Sequence, residues 1–231
     1  MESGSLSDND FPAFAKNVVP FLHVTTRLED KPYEKLFGEL GGTGFPTLMW
    51  LDADGRKIQV HNGPRSVKGF EESLGEVELF LDQIEKAENG DAKAATAVLI
   101  RQLQLQWFEY DDALARREAL TKVSSKEKKE LDQLLIDTEV RTHVKTAGKD
   151  PEAQRAAGAH FFAMWSEKRL PAGKSELYRF WTLMADHAEH AGDKKLFRRI
   201  VGAFDQSLGS DSRYRAVLDE LEGRLAHFGR E

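Results

Sequence analysis

The sequence predicts an α/β segment followed by an all-α segment, and three observations carry that expectation. Up to about residue 65 short apolar runs alternate with turn signals. From about residue 66 apolar residues recur at helical spacing, and Gly-Asp, Asp-Pro and Pro-Ala-Gly breaks divide the remainder into pieces of helix length. A first domain at 1–88, with a small sheet, and an α-helical hairpin domain at 89–231 are expected.

Val18-Val19-Pro20-Phe21-Leu22-His23-Val24 reads as a buried strand, with Pro20 belonging at its start because proline cannot donate to a ladder. Pro32 suits the first turn of a helix carrying Tyr33, Leu36, Phe37 and Leu40, which Gly41 and Gly42 stop. Thr47 to Leu51 is apolar on both faces and reads as an interior strand. Asp52-Ala53-Asp54-Gly55 is a turn, and the alternation of Ile58 and Val60 with Lys57, Gln59 and His61 marks a half-exposed strand.

Val67, Phe70, Leu74, Val77, Phe80, Leu81 and Ile84 then form the stripe of one long helix over 66–87, with a bend expected near Gly75. Gly90-Asp91 ends it and starts the next, since glycine suits a left-handed cap and aspartate accepts from free amides. Further helices are expected at about 92–107, 110–123, 125–146, 151–169, 176–191, 194–208 and 212–228. Ser124-Ser125-Lys126-Glu127 offers a capping box and Asp150-Pro151 an N-cap followed by proline. The short links favour antiparallel hairpins.

Composition narrows the function. The 231 residues carry 33 basic and 39 acidic side chains, a net charge of −6, with the signs interleaved; no basic face for nucleic acid stands out. The apolar runs are far shorter than a membrane span, and MESGSLSDND lacks the regions of a signal peptide. As written, a soluble cytoplasmic product is expected, or a periplasmic or secreted one if a longer form carries a signal. With no cysteine, structural disulfides, cysteine nucleophiles and thiolate metal sites are excluded.

Other motifs in the chain fall short of the chemistry they imitate. Gly173-Lys174-Ser175 imitates the tail of a phosphate loop, but Lys168 stands where the first glycine belongs; Gly42-Thr43-Gly44 lacks the third glycine of a dinucleotide turn, where Thr47 stands. His187 and His190, with Asp186 and Glu189, share a helix face at metal-like spacing, yet no further ligand is predicted to converge on them. The expectation is no metal, no cofactor and no catalytic residue in this chain. Phe161, Phe162, Trp165, Phe180 and Trp181 are expected to be helix-packing core.

The order strand, helix, Gly44-Phe45-Pro46-Thr47, strand, Asp-x-Asp-Gly, strand, helix resembles the C-terminal part of the thioredoxin fold, over about residues 1–88. Met1-Glu2, Leu6-Ser7-Asp8 and Phe11, Phe14 and Ala15 are similar to the segment that follows Cys-x-x-Cys in that family. The resemblance implies an incomplete thioredoxin-like domain that lacks its N-terminal strand and Cys-x-x-Cys. It implies a cis Phe45-Pro46 bond, with the Phe45 backbone pairing an extended substrate; Pro46 can equally serve only to set the turn into a strand. Phe108-Glu109-Tyr110-Asp111-Asp112-Ala113-Leu114 and Ala191-Gly192-Asp193 resemble tetratricopeptide hinges, without a strict period.

The strand that the family places between 18–25 and 46–51 is absent, so three arrangements stand open. The two flanking strands pair directly, another chain supplies the strand, or an upstream segment precedes Met1. For a folded chain direct pairing is expected, giving three strands in the order 18–25, 46–51, 56–62, because unsatisfied buried amides are costly. The functional expectation is a non-catalytic module that binds a peptide or protein through Gly44, Phe45, Pro46 and Thr47. The alternative is the C-terminal portion of a thiol-disulfide oxidoreductase whose Cys-x-x-Cys lies upstream of Met1.

Overall fold

The structure, a computed structural model, describes residues 5–24, 33–42 and 44–228. The chain divides into two compact units, Met1–Val98 and Leu99–Glu231. The first contains two short helices, α1 (Phe11–Phe14) and α2 (Leu36–Glu39), an antiparallel hairpin of β1 (Met49–Leu51) and β2 (Lys57–Val60), and the long helix α3 (Val67–Glu88). Helix α4 (Ala92–Gln104) crosses from the first unit into the second. The second continues with α5 (Tyr110–Glu118), α6 (Ser125–Ala147), α7 (Pro151–Ser166), α8 (Lys174–His190), α9 (Lys194–Leu208) and α10 (Arg215–His227). The molecule is thus mostly helical, with a small two-stranded sheet.

In the hairpin Met49 faces Val60 and Trp50 faces Gln59, with an irregularity before Leu51. Its turn is built by Asp52, whose Oδ1 accepts from the amides of Asp54 at 3.0 Å and Arg56 at 2.8 Å, while Gly55 takes the left-handed φ of +80° that the turn requires. Ile58 is the buried centre of the sheet, and Phe14, Phe70 and Val77 are buried in the same unit. The Phe14 ring meets Phe70 at 5.9 Å and Trp50 at 6.4 Å, and the Trp50 indole N–H donates to Ser73 Oγ at 2.7 Å. These contacts hold α1 and α3 to the apolar side of the hairpin.

Several expectations for this unit are corrected. Val18 to Val24 forms no strand, and the sheet has two strands, not three: Val19 is 93 % and Leu22 79 % exposed, and Phe21 and Val24 also face solvent. Pro20 lies inside the run, where it removes a ladder donor, and among the described residues the segment has no strand beside it to repay its ordering. Thr47 to Leu51 is half-buried, not interior, because one edge of β1 is unpaired among the described residues. The helix expected from Pro32 is reduced to α2; Pro32 itself lies outside the described residues. Leu81, placed on the buried stripe of α3, is exposed.

Punctuation read from the sequence positions the helices of the second unit. Ser124 and Glu127 form a reciprocal capping box, Asp150 caps α7 with Pro151 at its first position, and the Asp193 side chain accepts from Leu196 N at 2.8 Å. Helices α6 and α7, α7 and α8, α8 and α9, and α9 and α10 pack in succession. Their core is Phe161, Met164, Phe180, Met184, Phe197, Ile200 and Phe204, all buried. Phe161 stacks on Phe180 at 5.2 Å and Trp165 meets Trp181 edge-on at 5.3 Å, so the aromatic group is helix-packing core as expected. A second cluster of Leu99, Leu103, Ala113, Leu131 and Leu135 packs α5 against α6 and the end of α4.

Candidate functional site

In the first unit the segment Gly44 to Pro46 is exposed and Thr47 half-buried. The Phe45-Pro46 bond is cis. The Thr47 hydroxyl donates to the Gly44 carbonyl, and the Arg65 guanidinium donates to the Pro46 carbonyl at 3.2 Å, which together fix the path of the loop. Phe45 stands 70 % exposed, with its inner face stacked on Phe37 at 4.6 Å. Phe37 is in turn seated against Gly42: a Cβ there would fall 2.3 Å from the ring. The end of α2 therefore positions Phe45, a link that sequence reading missed although both residues had been noted.

Phe37 and Phe45 form one side of an open depression that Glu34, Lys35, Gly38 and Glu39 complete. Among the described residues, no group donates to the Phe45 carbonyl or accepts from its amide. The loop thus offers an aromatic face beside free main-chain groups. Such an arrangement can hold an extended polypeptide, and Gly44, Phe45, Pro46 and Thr47 lie together here.

The second unit contains a polar cluster that the sequence reading did not find. Glu139 and His143 lie four residues apart on one face of α6, His160 comes from α7, and Arg169 from the link after α7. The Glu139 side chain is 4 % exposed. Its Oε1 lies 2.9 Å from His160 Nε2, and its Oε2 accepts from the Arg169 guanidinium. The His143 and His160 rings stack at 4.1 Å with 28° between their planes. Burial and the facing His160 push the His143 pKa below its ordinary value, an effect that Glu139 and Asp111 partly offset. Burial and the Glu139 charge raise that of Tyr110, at the start of α5.

Among the described residues, Glu139, His143 and His160 are the group of three metal-type donors whose ligand atoms come within 4.8 Å of one another. His187 and His190, the pair singled out by spacing, join no such group. His187 is instead packed beside Gly158, and Asp186 and Glu189 are both engaged by Arg224. The sequence signal for the other site was the Glu139-x-x-x-His143 spacing, with a third donor that only the packing of α7 on α6 supplies. No family model, curated protein or solved structure matches this chain.

Proposed function

We propose that the first unit is a non-catalytic binding module for an extended, apolar segment of a protein or peptide, with Gly44, Phe45, Pro46 and Thr47 as its contact loop. The observation that carries this reading is the exposure of Val19, Phe21, Leu22 and Val24, which form no strand among the described residues, in the same unit as an edge of β1 unpaired among those residues and an exposed Phe45. Unpaired main chain beside apolar side chains is what strand addition uses: the backbone contributes affinity and the side chains select. The resemblance to thioredoxin-like proteins agrees with this use of the loop. The test is binding of an unfolded polypeptide with alkylated cysteines. Saturable binding that weakens several-fold in Phe45→Ala, with folding unchanged, is expected; no binding, or binding indifferent to Phe45→Ala and to Phe21→Ser, rejects the reading.

A second reading treats the same features as those of a sheet whose central strand belongs to an upstream segment, the chain being the C-terminal portion of a thiol-disulfide oxidoreductase. The specific observation favouring it is that Val18 to Val24 is apolar enough for a sheet interior yet has no strand beside it among the described residues. Translation of the DNA before Met1 separates the two: an apolar strand followed by Cys-x-x-Cys supports the enzyme, and an immediate stop codon the binding module.

A further inference from the structure

We propose that Glu139, His143 and His160 form a binding site in the second unit for a borderline divalent ion, zinc foremost. This is independent of the binding loop in the first unit. One carboxylate and two imidazoles are the donor set that zinc, cobalt and nickel share, and three protein ligands leave a coordination position for water. The donors come from two packed helices, so the site is positioned by the core of the unit and not by a loop.

The distances fit. Two ligands each about 2.0–2.1 Å from an ion stand about 2.9 Å apart at a right angle and about 3.3 Å apart at a tetrahedral one. Glu139 Oε1 and His160 Nε2 are already 2.9 Å apart, a separation that two ligands of one ion can keep. Arg169 occupies the other carboxylate oxygen and thereby aims Oε1 at the site; its positive charge also limits affinity. His143 must turn, because nearly parallel stacked rings cannot both point an in-plane nitrogen at one ion. The half-exposed position of both rings leaves room for that rotation and for solvent access.

The test is calorimetric titration of the untagged full-length chain with zinc chloride, with cobalt(II) absorption as a second probe. Expected are one-to-one saturable binding and an affinity that falls by about tenfold or more in His143→Ala and in His160→Ala, while His187→Ala binds as the unaltered chain does. Because either variant can disturb packing, histidine side-chain NMR of the unaltered protein serves as a check independent of substitution: zinc should shift His143 and His160 and leave His187, His190 and His227 in place. No saturable binding, binding unaffected by both substitutions, or zinc shifts confined to other histidines would overturn the proposal and leave the cluster a tie between α6 and α7.

Discussion

A Cβ placed on Gly158 would lie 2.2 Å from the Leu183 carbonyl oxygen and 2.8 Å from the His187 Cβ, so α7 and α8 approach as closely as they do because this side chain is missing. Alanine within a helix ordinarily gains about 0.5–1 kcal/mol over glycine. Here overpacking should outweigh that gain, and Gly158→Ala is expected to lose about 1–3 kcal/mol in urea unfolding; a stabilised variant would refute the close approach. Glu109 makes a different kind of residue-scale prediction. Its carboxylate accepts from Thr142 Oγ1 at 2.9 Å and pairs with Lys145, whose hydrogen bond holds its pKa below the ordinary value against partial burial. A depressed folded-state pKa stabilises above the unfolded value and is lost as pH falls through the folded one. Glu109→Gln should therefore be less stable near neutral pH, by about 0.2–1 kcal/mol for so exposed a pair, and equal to the unaltered chain once the carboxyl is protonated. A constant difference across the acid range would contradict the assignment.

Elements of the second unit were legible because their causes are local. Helix α6 starts where Ser124 and Glu127 cap each other, and Ser124→Ala is expected to cost about 0.5–2 kcal/mol, read as a shift of the denaturation midpoint. No change would mean that tertiary packing alone holds that end. Gly90 and Gly192 take the left-handed φ of +92° and +68° that their placement at helix ends implied. Val18 to Val24 shows the opposite case. Its composition satisfies a strand, but a strand is completed by its neighbour, and composition does not name one. The amides from Phe21 to Val24 should exchange with solvent far faster than those of Ile58 and Gln59 in β2. Protection equal to that of β2, measured by hydrogen exchange on the chain alone, would show that the segment is paired in solution.

For the molecule as a whole, the absence of cysteine makes one outcome firm: the purified chain should not reduce insulin or a small disulfide, since no thiolate can form the mixed disulfide. Reproducible turnover would refute this. Among the described residues no helix is long and apolar enough to cross a membrane. From the sequence alone came the succession of a mixed segment and a helical one, the helices from α3 onward and the hairpin turn at Asp52 to Gly55. Each depends on residues a few positions apart, through spacing, caps and turn chemistry. Tertiary structure alone decided that Val18 to Val24 stays out of the sheet, that Phe37 supports Phe45, and that His160 joins Glu139 and His143. Those outcomes depend on which distant surfaces meet, and hydrophobic burial is non-directional: the pattern of apolar residues says that a face will be covered, while only packing selects what covers it.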